Sequence, residues 1–406
     1  MHKLVFIILG IAFLFDASAQ QNNSTFQKNG IDKPSMLPIH HFGMFSSRIN
    51  QNFKVRPATN NELQVSIASA NTFNPFVEKY IPKDEATRNE MRQLIWYNRH
   101  FFIDQETTPA EYSTIVVDAV FKNIRIDFTT KLNAKSDLTF TLRSYLVTKG
   151  LFPFSSITSD NFIEWFHSNI AGGEDPSGRR YYGLNQVNVR YQDKNGRVLT
   201  LKDGEFIFGG IETNYFYYPS FPKLNNQNIF MSFGAHMGIN TAKYNPSLDF
   251  GVSSNLIKEW SLKNNTEFRF GVGFAILRKN LINFGNTVEL GNLHFLGSLE
   301  SMIEYTKYTA KKNYHSWGIN YQRQTSYNNP DEANYYQLVG KWQEIHSGWS
   351  NGFEKLTEHQ SAWSLLYTYG TPKTTLNLYL KQDLYLNNSP DIQTGIALKF
   401  PLVRSK

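Results

Sequence analysis

The chain has 406 residues, 15% of them aromatic and 18% charged, with no cysteine and a formal net charge of +7 from 41 basic and 34 acidic side chains. The missing cysteines exclude a disulfide framework, thiolate metal sites and a lipidated N-terminal cysteine. No block of Lys or Arg carries the basic excess, so nucleic acid is not an expected partner of this chain.

Lys3, the apolar stretch Leu4–Phe15 and the small-residue box Ala17-Ser18-Ala19 read as a secretory signal peptide over residues 1–19, cleaved after Ala19. Beyond it no apolar run approaches the roughly 18 residues of a spanning helix. The longest, Ile115–Phe121, is broken by Asp118. Membrane passage by helices is thereby excluded, and passage by strands is not. Residues 20–61 form a polar lead-in with Pro34, Pro38 and His40-His41, expected either as a disordered periplasmic tail or as a segment tucked inside the main body of the fold.

Residues 62–406 carry strand signals. Candidates lie at 62–70, 91–103, 112–130, 136–148, 184–192, 205–218, 229–241, 248–258, 265–277, 293–306, 314–325 and 334–346, before three more at the C-terminal end. Alternation is the evidence. Leu138, Phe140 and Leu142 oppose Thr139, Thr141 and Arg143; Phe268, Phe270 and Val272 oppose Glu267, Arg269 and Gly271. In the last strands Leu376, Leu378 and Leu380 oppose Asn377, Tyr379 and Lys381, with Asp383 continuing the polar parity. Period 2 places each set on one face. Asn195-Gly196, Asp203-Gly204 and Lys263-Asn264-Asn265 supply tight turns.

An apolar outer parity, a polar inner one and a surplus of aromatics predict an all-β fold, a transmembrane antiparallel β-barrel of the outer-membrane type. The candidates number about 15, and single-chain bacterial barrels have even counts, so about 14 strands are expected, within roughly 12 to 16. A periplasmic C-terminus places Gly370–Lys373 on the periplasmic side and Asn387–Pro390 outside. One segment departs from period 2. Ser159–Ile170 has helical spacing, with Phe162, Phe166 and Asn169 on one stripe and a capping-box-like Asn161/Glu164 pair. This helical loop, 159–180, with Glu164, His167, Arg179 and Arg180, is a candidate gate or plug.

Gly150–Arg180, with its FIEWFH and GGEDPSGR runs, resembles a signature of an uncharacterised bacterial outer-membrane family, domain of unknown function 3187. Gln382–Phe400 resembles its closing hairpin, and Arg48-Ile49-Asn50-Gln51-Asn52 its N-terminal motif. Ile170-Ala171-Gly172-Gly173 stands where the family has Gly-Leu-Pro. The resemblance implies a membrane barrel and brings no catalytic residues with it.

For chemistry, His359 and Ser361 are two apart, on one face of a strand, and resemble the His-x-Ser pair of outer-membrane phospholipases and lipid A deacylases. Ala362-Trp363 replaces the Asn-Gly of the phospholipase pattern. Glu164 and His167 have metal-ligand spacing without a second pair, so no metal is expected. Without a phosphate-binding or dinucleotide loop, no cofactor is expected either. Arg143, Glu267, Arg269, Lys381 and Asp383 fall on the inner parity and would line a pore or pair up and seal it. The favoured expectation is passive or gated passage of small or lipidic molecules across the outer membrane. The alternatives are a lipid hydrolase using His359 and Ser361, and a sealed structural or assembly barrel. Expected partners are outer-membrane lipids, lipopolysaccharide and the barrel assembly machinery.

Overall fold

Strand β1 (Asn61–Val77) pairs on one side with β14 (Ile392–Leu402) and on the other with β2 (Ile115–Asn133), and this double pairing closes the sheet on itself. The protein is described by a computed structural model for residues 28–77, 115–151, 154–171, 179, 183–193, 195–291, 293–310, 312–328, 359–383 and 391–402. The remaining wall strands are β3 (Ser136–Thr148), β6 (Phe206–Tyr217), β7 (Ile229–Asn240), β8 (Ser247–Leu262), β9 (Thr266–Asn283), β10 (Phe295–Tyr308), β11 (Tyr314–Gln324), β12 (Gln360–Gly370) and β13 (Thr375–Asp383). Each is antiparallel to its neighbours, in an up-and-down order.

Among the described residues the wall therefore has 12 strands, within the expected range of 12 to 16 and two below its centre. Two further strands, β4 (Asn188–Gln192) and β5 (Val198–Leu201), form a hairpin outside the ring. The reason is geometric. Strand β2 outruns β3, which ends at Thr148 opposite Val120, and the bare edge Ile115–Asp118 is taken up by Asn188–Tyr191 of β4. Alternation alone does not distinguish such an annex from a wall strand. The candidate strands at 91–103 and 334–346, the signal peptide 1–19, Arg180 and the turn Asn387–Pro390 lie outside the described residues.

Alternation sets the two faces of the wall. Phe274, Ile276, Trp363, Leu365 and Trp317 point outward and are 46–58% exposed, an arrangement that lipid rather than water satisfies. Tyr305, Trp317 and Tyr367 cluster on the outer face near the ends of β10, β11 and β12, with ring centroids 6.0–6.2 Å apart, as in an interfacial girdle. The turns at that end are short, apart from the 218–228 connection with its single helical turn, Pro222–Asn225. In the three-residue connection 263–265, Asn264 and Asn265 (φ 61° and 56°) both take the left-handed conformation that asparagine tolerates better than most residues. The opposite end carries the long connections, among them helix α1 (Asp160–Phe166) and the β4–β5 hairpin. Twelve strands about 4.8 Å apart, tilted by about 40°, give a barrel about 24 Å across between backbones.

Candidate functional site: a lumen filled by the N-terminal segment

The lumen is occupied by the chain itself. Residues 28–58 rise through the barrel from the short-turn end, turn over at a 3-10 helix (His41–Phe45), and descend again to β1. The two limbs are tied to each other: Ile31 N–H donates to Phe53 O (2.9 Å), and Asn50 Nδ2 donates to Ser35 Oγ (3.2 Å).

The ascending limb is held by charge. Lys28 Nζ pairs with Glu304 (2.5 Å), Asp32 with Lys399, and Lys33 with Glu300. Lys381 Nζ donates to Leu37 O (3.1 Å) and Gln393 Nε2 to Pro38 O (3.1 Å). Between the limbs, Arg48 donates to Met36 O (2.7 Å), to Leu37 O and to Gln322 (2.8 Å), while its backbone N–H donates to Glu212 (3.2 Å). Arg143 from β3 donates to Met44 O (3.1 Å) and Ser46 O (2.6 Å). Wall side chains thus satisfy carbonyls that an irregular buried segment would otherwise leave unpaired.

The descending limb is received by missing side chains. A Cβ on Gly251 would meet Ile49 Cδ1 at 2.4 Å, and one on Gly271 would meet Phe53 at 2.8 Å. Near its foot, Tyr218, in the turn after β6, accepts from Asn52 Nδ2 (2.6 Å) and donates to Asp137 (3.2 Å). Burial and the neighbouring Asp137 carboxylate push its phenol well above the ordinary tyrosine range, against the pull of Lys54.

The apex is apolar. Phe42, Met44 and Phe45 join Val189, Tyr191, Leu199 and Leu201 of the β4–β5 hairpin in one buried cluster, with the Phe42 and Tyr191 rings 4.8 Å apart. The hairpin leaves β2 and reaches the β9–β10 loop: Tyr191 Oη donates to Glu289 O (2.7 Å), and Asp193 accepts from Glu289 N–H (2.9 Å). It is a bridge across the mouth. Small spaces remain beside the segment, among them two with distinct linings. One of about 130 Å³ lies against β1, β2, β3 and β6, lined by Gln64, Arg125, Asp127, Thr141 and Gln51 among others. The other, of about 40 Å³, lies between Arg48 and β9–β11.

The inner-parity candidates sit in the wall as follows. Arg143 also pairs with Glu212 (3.1 Å). Arg269 is fully buried and pairs with Glu259 (2.6 Å), Glu267 and Glu304 (3.4 Å). Lys381 bridges to Gln322 (2.9 Å), and Asp383 ends β13 on the same parity. The sequence expectation does not include Glu304 and Gln322, the partners of Arg269 and Lys381, nor the pairs Lys28–Glu304, Asp32–Lys399 and Lys33–Glu300 that hold the ascending limb. The available signals were the Arg48–Asn52 motif and the glycines on the inner parity of β7–β9.

The helical loop is not in the lumen. Ser69, Asn71, Asp118 and Lys122 fall on the outward parity at the upper ends of β1 and β2, yet all four are buried. They are covered by the segment around α1. Ser69 Oγ bonds Thr158 Oγ1 (2.6 Å), Lys122 donates to Ser69 (2.7 Å) and Ser155, and Asn71 donates to Thr158 O (3.0 Å). Asp160 is the hub, accepting from Asn71 (2.7 Å), Arg179 (2.8 Å) and Asn185 N–H (2.6 Å). The expectation that Glu164, His167 and Arg179 gate a pore is therefore corrected: this segment is a strap on the outside of the wall. Its cap also differs, since Ser159 rather than Asn161 accepts from Phe162 N–H (3.3 Å).

His359 is exposed and Ser361 is buried on the outward parity of β12, its hydroxyl without a hydrogen-bond partner among the described residues. No hydrogen bond joins the two among the described residues.

No family model matches the chain, and no curated protein matches it. Among solved structures, the chain is similar to an outer membrane channel from Pseudomonas putida F1 (8% identity, TM-score 0.37, covering 87% of this chain and 99% of that one). It is also similar to NanC porin (8%, 0.34, 70% and 94%) and to LpxR from Salmonella typhimurium (6%, 0.37, 84% and 100%). At these scores the likeness assigns no activity.

Proposed function

We propose that the protein is an outer-membrane channel for small polar solutes, held closed at rest by its own N-terminal segment. The observation that carries this is the lumen wall: it is lined by charged, amide and hydroxyl side chains, and it is wide enough for two passes of polypeptide. Emptied, such a wall would hold water. The barrel exterior would contact outer-membrane lipids and lipopolysaccharide, and insertion would use the barrel assembly machinery.

Magnitudes decide how it opens. Met36, Phe42, Phe45 and Phe53 are all but inaccessible. At about 1.5–3 kcal/mol each, they alone hold the segment by on the order of 10 kcal/mol. Thermal escape at that cost is negligible, so opening requires work from a ligand or a periplasmic partner. The intact protein should therefore be silent in a planar bilayer, and a variant lacking residues 28–58 should give steady openings. A Met36→Cys/Ser364→Cys pair, at positions whose native side chains touch at 3.4 Å, gives a second test in an intact chain when bridged by a short thiol-reactive cross-linker. Once bridged, it should block any solute uptake that the unbridged form supports. A folded, inserted barrel that stays silent without the segment would make this a sealed structural barrel instead.

The lipid-hydrolase reading has less support, because His359 and Ser361 are not joined and the serine is buried. Lysolipid release abolished by Ser361→Ala would revive it.

A further inference from the structure

The strap has two unlike faces. Towards the wall it presents Ser155, Thr158, Asp160, Ile163 and Glu164, all buried. Away from it stand Leu151, Phe154, Trp165, Phe166 and Ile170, 40–70% exposed. The helical period of α1 accounts for the division, with 160, 163 and 164 inward and 162, 165 and 166 outward. Phe162 joins the outer group, its ring 5.8 Å from Trp165 and 6.4 Å from Phe166.

The outer group is continuous with the lipid-facing wall. On β2 the outward residues below the strap are Ile124 and Ile126, about two-fifths exposed, and the next outward residue is Lys122, beneath the strap. Ser69 is level with Thr394 of β14, whose outward residues below that point are Ile396, Leu398 and Phe400. The strap thus begins where the belt would be interrupted by Ser69, Asn71, Asp118 and Lys122. Those four groups are costly against hydrocarbon, and the strap supplies their hydrogen bonds while carrying the apolar surface one layer outward.

We propose that the exposed face of the strap is a lipid-contact surface, with Trp165 and Phe166 seated among the lipids at the headgroup–acyl boundary. The occupant is the bilayer rather than a soluble partner, because the face continues the belt at the same level and its exposed tryptophan has interfacial character. This rests on the membrane-barrel reading above.

The absence of cysteine makes the test clean. Phe166→Cys, Leu365→Cys in the belt and Lys373→Cys in a periplasmic turn are each labelled with an environment-sensitive fluorophore, in barrels reconstituted into phosphatidylcholine vesicles. The label at 166 should be blue-shifted and lose most of its emission to a headgroup-linked lipid quencher, as at 365 with a deeper quencher. The label at 373 should answer only to aqueous iodide. Iodide quenching at 166 while 365 remains in lipid would overturn the proposal and leave the barrel reading intact. Protection of 166 from both quenchers, with a cross-linked dimer, would overturn it in favour of a second copy. Iodide quenching at 365 as well would overturn both readings.

Discussion

Ser47 and Gly238 meet so closely that no side chain fits between them: a Cβ on Gly238 would lie 1.8 Å from Ser47 Oγ. Gly238 is an inner-parity residue of β7, and Ser47 begins the descending limb of the segment inside the barrel. Ser47 N–H also donates to Asp249 of β8 (2.7 Å), so the limb is fixed where the neighbouring wall residue carries no side chain. The wall glycine is therefore a seat for the segment, and its absent side chain is a structural feature of the closed lumen.

Gly238→Val tests that seat. The added bulk cannot be accommodated unless the limb moves, at a cost of about 1–3 kcal/mol for overpacking. The expected result is an intact barrel that is still heat-modifiable on gels, with faster amide exchange over 46–54. Unchanged exchange would mean that the limb is not held by this contact.

Glu300→Ala removes the partner of the buried Lys33 and an acceptor for Asn320 Nδ2 (2.7 Å). Leaving a buried cation unpaired costs about 3–5 kcal/mol. The ascending limb should become cleavable by trypsin after Lys28 in folded, detergent-solubilised protein, the Lys33–Pro34 bond being resistant to that protease, with the wall strands protected. Glu300→Gln should give the same change to a smaller degree, because it keeps an acceptor for the lysine.

Asp160→Ala should free the strap without opening the ring. It strips Arg179 and Asn71 of a shared acceptor on the outer face while Arg179 keeps Asp391 (3.5 Å), so the loss is that of a charged hydrogen bond, about 1.5–3 kcal/mol. Exchange should rise across 155–171 and 183–187, while β7–β14 are unaffected. A global loss of the barrel would instead make the strap part of the folding core.

Much of the wall was legible because strand parity is a local property. Ser136–Thr148 follows the pattern of its own residues, and Arg143, Arg269 and Lys381 lie on the inner face without reference to any partner. The helix shows where such reasoning stops. Its stripe of Phe162 and Phe166 is visible from spacing alone, but in a membrane protein an apolar face answers equally to a core and to lipid. Only the placement of Ser155, Thr158 and Asp160 against β1 and β2 decides between them.

Local sequence specifies a chain of alternating strands with a polar inside and an apolar outside, since two-residue periodicity and tight-turn chemistry act between near neighbours. That 12 strands close the ring, that residues 28–58 fill it, and that β4 and β5 bridge its mouth are properties of the folded barrel. Each of these depends on pairings between residues far apart in the chain, such as Lys28 with Glu304 or Tyr191 with Glu289. Long-range partners leave no period in a sequence, because what selects them is the shape and charge of the space that the closed barrel creates.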